Sequence, residues 1–486
     1  MEQRRTDSDS LHCKCRTRHP AVPFGDLTLR LDRAEQLRRA AARRGVTRHP
    51  GRLLVIGVIG LILFGTAGFM HPAAQGGATL PWVDALLLAT SAVCTTGLSS
   101  VNVAEVLSPT GQVWLTLLIE IGALALLVIA LGFVGLGRQG AVARVSVSAE
   151  LGLGVVHHLP GLVQRVLGLA VGVQLVGLVL LLPDMVALEG WDRGGRYALM
   201  HTVMAFGNAG FGLWPDGVVR LSSLSLMTLM VLVIVGGLGF VILDELGGRV
   251  RTRLTRARPS RLSTMSRVGL GMTGALLLFG WGGFALLEWN RPGTLGQFPW
   301  SERLLHAAFQ PTVARSAGFA TMDYGALAAP TLLLVMVLMF VGGNPGSTAG
   351  GIKTTTAAVL FAAALASLRG REDTDLAGRR VSAVTLMRAL TVVSLGLLSV
   401  AVGTFALMVT EGSRHHPGVL AFEAVSAFTT SGLSVNLTPN LSPGGKLVLV
   451  VLMFLGRVGF LSLLLAFRSA QPSLVRRPEE RHFVVG

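Results

Sequence analysis

The chain has 486 residues, 51% hydrophobic and 14% charged, too apolar a balance for a soluble protein of this length and one that suits a membrane protein. Basic residues exceed acidic ones by 16, and of the 42 basic residues all but Lys14, Lys353 and Lys446 are arginine. The three cysteines, Cys13, Cys15 and Cys94, argue against a disulfide scaffold.

Residues 1–52 read as a polar, Arg-rich tail on the cytoplasmic side. Asp26 to Arg44 has the charge for a helix lying on a membrane or a partner, or for a plain solvated tail. Cys13 and Cys15 lie near His12 and His19, but the spacing fits no standard zinc site. The first apolar stretch, 53–70, comes too late for a removable signal peptide and reads as a mature helix. Seven more follow at roughly 112–135, 166–186, 222–243, 268–287, 326–361, 389–410 and 446–467; all reach about the 20 residues that cross a bilayer, and the sixth is much longer. Arginines mark alternate loops. They include Arg38 to Arg52, Arg138 and Arg144, Arg249 to Arg261, Arg369 to Arg380, and Arg468 to Arg481, whereas 71–110 holds no Lys or Arg. This asymmetry puts both termini in the cytoplasm of a multi-pass protein of the cell membrane, in contact with its lipid. It explains the basic excess without nucleic acid.

Between the stretches of each successive pair lies a short segment ending at a glycine. The first reads Ser91 to Ser99 and the fourth Ser426 to Ser434, with Ser, Ala, Thr, Gly, Leu and Ser at matching offsets. The second ends Asn208-Ala209-Gly210-Phe211 and the third Ser316-Ala317-Gly318-Phe319. The glycines are 113 (210−97), 108 (318−210) and 114 (432−318) residues apart. The expected fold is all-α: four helix–loop–helix repeats at 53–137, 161–246, 264–366 and 382–468, then a cytoplasmic tail at 469–486. Each repeat is an outer helix, a half-membrane helix, a re-entrant turn and an inner helix, so eight membrane helices and four half-helices surround one pore. Ala85 to Val93 and Phe422 to Phe428 suit the half-helix role. Irregular backbone at membrane depth is tolerated only where it lines a cavity or is buried in protein. A potassium ion exchanges its hydration shell for rings of backbone carbonyls, and glycine permits the dihedrals and close approach that aim them. The expected potassium-binding residues are Thr96, Gly97, Ala209, Gly210, Ala317, Gly318, Ser431 and Gly432. Hydroxyls of Thr95, Ser316 and Thr430 stand near to brace the turns.

The sixth stretch is interrupted by Gly342-Gly343-Asn344-Pro345-Gly346-Ser347-Thr348-Ala349-Gly350-Gly351-Ile352-Lys353, running on to Thr356, too rich in Gly and Pro for a continuous helix. A broken helix with a small polar loop, 342–356, is expected. A phosphate-binding loop and a static kink are the competing readings, but Ile352 rather than Gly precedes Lys353 and no strand flanks it. Arg457 sits midway along the last stretch, where a charge faces a cavity or a partner. Glu120 is a second charge at that depth and reads as a buried polar contact, with a cation or Arg315 as the alternative partners. Asp84 and Glu423 fall in half-helices and read as scaffold or vestibule rather than ligands, and His201 at the start of one reads as packing or filter support. His157 and His158 adjoin in a cytoplasmic loop without carboxylates at metal spacing. No catalytic set and no nucleotide-binding βαβ unit is apparent, so neither an enzyme nor a cofactor is expected.

These features resemble the Trk/Ktr/HKT superfamily of potassium transporters over about residues 53–486, the bacterial Ktr membrane subunit in particular. Gly236 to Phe240, Ala314 to Phe319, and Arg369 to Asp373 with Gly378 to Arg380 add to the resemblance. It implies that Gly97, Gly210, Gly318 and Gly432 are the filter glycines, and that four glycines favour potassium over sodium. It implies an intramembrane gate formed by Gly343, Pro345, Gly346, Ser347, Thr348, Gly350, Gly351 and Lys353, with Arg457 raising the cation barrier below the filter. It also implies a homodimer, with Phe483 to Gly486 near the contact, and a separate cytoplasmic ring of nucleotide-binding regulatory subunits. Sodium or mixed-cation uptake, and the potassium-binding subunit of an ATP-driven pump, are the alternatives within transport.

Overall fold

The computed structural model describes residues 50–77, 79–124, 159–214, 216–255 and 261–459. The N-terminal tail, the loop with Arg138, Arg144, His157 and His158, and the C-terminal tail lie outside the described residues. Among the described residues the apolar stretches are helical apart from loop 341–353, as backbone that satisfies itself by intra-segment hydrogen bonds must be. In chain order the helices are α1 (Pro50–Met70), α2 (Trp82–Val93), α3 (Pro109–Ala123) and α4 (Leu159–Gly207). Then come α5 (Ser223–Leu238), α6 (Phe240–Leu254), α7 (Thr264–Glu288), α8 (Trp300–Ala314), α9 (Ala329–Phe340) and α10 (Thr354–Leu368). A two-residue hairpin, β1 (Asp375–Leu376) and β2 (Arg379–Arg380), precedes α11 (Ala383–Glu411), α12 (Pro417–Thr429) and α13 (Pro443–Val458). Gly190, at φ 75° and ψ 174°, breaks α4 so that 191–207 is a separate half-helix.

Helix contacts run in a cycle. α3 packs on α4, α5 on α8, α9 on α12, and α13 returns to α2. Gln164–Gly207, Thr264–Glu288 and Ala383–Arg414 are each long and apolar enough to cross a membrane. The expected continuous stretch at 222–243 is corrected: α5 and α6 meet at a 108° bend. Gly239 sits at φ 85° there, and Phe240 N–H donates to Gly346 O at 3.0 Å. The carbonyls freed at the end of α5 are satisfied from elsewhere, Gly237 O by Asn344 N–H at 3.0 Å and Gly236 O by Thr348 N–H at 3.3 Å. A helix end left in a dry interior needs such partners. Helix α13 likewise stops at Gly459, φ 75°.

A device not expected from the sequence fixes the starts of three helices. An acid late in one long helix accepts from the chain as the next apolar helix begins. Asp184 accepts from Ser222 N–H at 2.7 Å, Glu288 from Ala328 N–H at 2.9 Å, and Glu411 from Ser442 N–H at 3.1 Å. A carboxylate at a helix N-terminus satisfies orphan donors and complements the dipole. Glu288 is fully buried and also accepts from Thr294 at 2.6 Å and Thr331 at 2.5 Å. Glu288→Ala strands those donors and should cost roughly 2–3 kcal/mol, whereas Glu288→Gln keeps an acceptor and costs less. Thermal unfolding of the two variants in detergent checks the order.

Candidate functional site

Each half-helix ends in a turn whose backbone is left-handed two residues before its glycine. Thr95 lies at φ 52°, Asn208 at 55°, Ser316 at 120° and Thr430 at 51°. A β-branched residue in that region is a real outlier, and such strain persists only where the surroundings over-determine it. Three turns close alike, with Thr96 N–H donating to Ser91 O at 2.7 Å, Ala209 to Met204 O at 2.8 Å, and Ser431 to Ser426 O at 2.9 Å. The third differs, since Ala317 N–H reaches Val313 O, four residues back, at 2.7 Å.

The four glycines stand against one another in a closed ring. A Cβ added at Gly97 would lie 2.8 Å from Gly210 N, and one at Gly318 would lie 2.8 Å from Ser431 O. At Gly210 and Gly432 it would overlap the carbonyls of Ala317 and Thr96. Each turn thus needs glycine because the next backbone occupies the side-chain position. The C-terminal ends of α2, 191–207, α8 and α12, the negative ends of their dipoles, converge on this ring.

Loop 342–353 lies against the inner ends of these turns and is buried over most of its length. Its ends are clasped by a parallel bridge, Val341 to Ile352, and Gly346 and Gly351 turn it at φ 69° and 70°. Thr348 is its hub. The Thr348 carbonyl accepts from Arg457 at 2.5 Å and from Thr95 Oγ1 at 3.2 Å. Its hydroxyl accepts from Asn208 at 2.6 Å and donates to Phe206 O at 3.0 Å. Gly350 N–H donates to Ser316 Oγ at 3.1 Å, and a Cβ at Gly350 would meet Thr430 Oγ1. All four left-handed residues therefore touch the loop at Thr348 or Gly350. Lys353 Nζ donates to Ala349 O at 2.7 Å, and Arg457 also reaches Gly122 O at 2.6 Å. Pro345 lies against Gly239, and Ser347 and Gly343 against each other. The backbone N–H groups of Asn344, Thr348 and Gly350 are taken by protein acceptors, which leaves them unavailable to cradle a phosphate.

Among the described residues, the structure gives each remaining polar residue singled out in the sequence a partner, and it departs from the sequence reading at Arg315 and His201. Glu120 accepts from Gln174 at 3.1 Å rather than pairing with Arg315, which donates to Gly342 O at 2.9 Å. His201 lies well inside the half-helix 191–207, not at its start, and stacks between Trp214 and Phe319. Asp84 pairs with Lys446 at 2.6 Å, joining α2 to α13, while Glu423 accepts from Ser434 and, at 3.1 Å, from Thr438. One recurring signal went unread. Gly122, Gly236 and Gly456 let inner helices pack on the half-helix carbonyls of Val93, Phe206 and Phe428. They follow the ring glycines by 25 (122−97), 26 (236−210) and 24 (456−432) residues.

The TrkH family, described as cation transport proteins, matches residues 65–476. The Ktr system potassium uptake protein B of Bacillus subtilis is 33% identical over 438 residues, covering 89% of this chain and 96% of that protein. The potassium/sodium uptake protein NtpJ of Enterococcus hirae is 34% identical over 442 residues, covering 89% of this chain and 96% of its own length. Among solved structures, the potassium transporter TrkH from Vibrio parahaemolyticus shares the fold with a TM-score of 0.70 at 16% identity, covering 88% of this chain and 86% of that one. The chain therefore belongs to the TrkH family of cation transport proteins, and it is a membrane transporter and not an enzyme.

Proposed function

We propose that this protein carries potassium into the cell through a single-chain pore of four helix–loop–helix repeats. The observation that carries the reading is the closed ring of Gly97, Gly210, Gly318 and Gly432, each backbone filling the place of its neighbour's side chain. In this reading the carbonyls beside those glycines, at Thr96, Ala209, Ala317 and Ser431, replace the ion's water. The four converging dipole ends favour a cation there and oppose an anion. The loop from Gly343 to Lys353, tied by Arg457, obstructs the inner side, and two cationic side chains beside it raise the barrier to a passing cation. Opening requires Thr348 and Gly350 to leave the turns.

Both termini face the cytoplasm, as the arginine asymmetry indicates. The chain works as a homodimer with a cytoplasmic nucleotide-binding ring. The name of the Bacillus relative, a component of a Ktr system, supports a multi-component assembly. The name of the Enterococcus relative, potassium/sodium uptake, favours a second reading in which sodium also passes. Expression in a strain lacking its own potassium uptake separates them. Rubidium entry well above sodium entry is expected. Equal rates establish the mixed reading, and the absence of both overturns uptake.

A further inference from the structure

We propose that a slot between α7 and α10 is a binding site for one anionic phospholipid. The slot encloses about 370 Å³, within the range of built ligand pockets. Its walls are apolar. Gly271 and Ala275 on α7 face Ala358 and Ala362 on α10, with Phe361 and Leu365 at the edge. Small residues four apart on two neighbouring helices leave a furrow between them. Phe361 is 69% exposed, which suits a side chain that shares the furrow with a hydrocarbon tail.

The mouth of the slot has the opposite character. It is lined by Arg267, in the first turn of α7, and by Arg369 and Arg371, just beyond the end of α10. Among the described residues no carboxylate pairs with any of these three. Asp373 at the same mouth is paired with Arg380 at 2.6 Å, which leaves Asp375 as the acid there without an ion-pair partner. The N-terminal dipole of α7 adds positive potential at this end. The last carbonyls of α10 are partly taken, Leu365 O by Arg369 N–H at 3.2 Å and Ala366 O by Arg371 N–H at 2.9 Å. From Arg267 to Ala275 is roughly 12 Å along the helix axis, enough for part of an acyl chain.

An apolar furrow ending in three arginines at the cytoplasmic end suits a headgroup phosphate with a tail attached. A free phosphate has no use for the furrow, and a neutral lipid has none for the arginines. The site bears on transport through α10, which begins at Thr354, directly after the loop that ends at Lys353. A lipid bridging α7 and α10 restrains the helix on which that loop is hung. The inference rests on the membrane orientation given above but not on the filter or the gate, and its test reads binding alone.

The full chain purified in neutral detergent is titrated with dioleoyl phosphatidylglycerol, with dioleoyl phosphatidylcholine and with inorganic phosphate, and bound lipid is read by native mass spectrometry. Saturable phosphatidylglycerol binding is expected, with neither of the others matching it. The surface pair Arg369→Gln and Arg371→Gln should weaken it by roughly fivefold for each arginine. Ala362→Phe, which fills the furrow, should abolish it. Equal binding of the two lipids, or affinity unchanged in the arginine pair, overturns the site. Full competition by inorganic phosphate also overturns it and assigns a free-anion site instead.

Discussion

Deleting Gly346 to Gly350 is expected to raise cation flux about tenfold or more, which corresponds to roughly 1.4 kcal/mol off the limiting barrier. These five residues include both points at which the loop meets the turns. With them go the bonds from Arg457, Thr95 and Asn208 to Thr348 and the bond from Gly350 N–H to Ser316. The clasp from Val341 to Ile352 lies outside the deleted stretch, so α9 and α10 keep a short connection. Thr348→Val is the milder companion. It preserves shape but removes the hydroxyl that bonds Asn208 and Phe206 O. Two bonds of about 1 kcal/mol each then shift the closed population without destroying the loop, and a smaller rise follows. Initial rates of rubidium uptake, normalised to inserted protein, measure both. Unaltered flux in a folded, inserted deletion variant removes the loop from gating.

Gly318→Ser is expected to reduce discrimination of potassium over sodium by about tenfold. Gly318 lies at φ 70°, where an L-residue costs about 1–2 kcal/mol. Its new Cβ would stand 2.8 Å from Ser431 O and 3.1 Å from Gly432 Cα. The cheapest relief moves the Ser431 carbonyl, one of the oxygens assigned to the ion. A misplaced oxygen harms the ion that fits the ring most. Gly210→Ser is the harsher comparison, because its Cβ overlaps the carbonyl of Ala317, and loss of uptake is expected rather than altered preference. Competitive uptake of rubidium against sodium measures the first; selectivity unchanged in Gly318→Ser removes that glycine from the filter.

The sequence carried the helical class and the recurring glycines because both are local signals, apolar length and a Gly-centred motif. The interruption at 342–353 was legible for the same reason, since Gly and Pro cannot hold a helix. What stayed hidden was non-local. The bend at Gly239 is made possible by loop residues that follow it by about a hundred positions and supply donors to Gly236 and Gly237. Nothing in the local sequence around Ser222, Ala328 or Ser442 names its capping acid, which lies 31 to 40 residues earlier. The left-handed residues are two threonines, Thr95 and Thr430, with Asn208 and Ser316, so their common backbone geometry could not be read from a single residue type. The polar contact of Glu120 was foreseeable but its partner was not, because Gln174 is an uncharged residue on a neighbouring helix.

The central claim is that the glycine ring binds the transported ion. Crystals grown with rubidium in place of potassium, measured for anomalous scattering, test it most directly. A peak within coordination distance of the carbonyls of Thr96, Ala209, Ala317 and Ser431 is the predicted result. A well-occupied rubidium site elsewhere along the pore, with none at that ring, would contradict it.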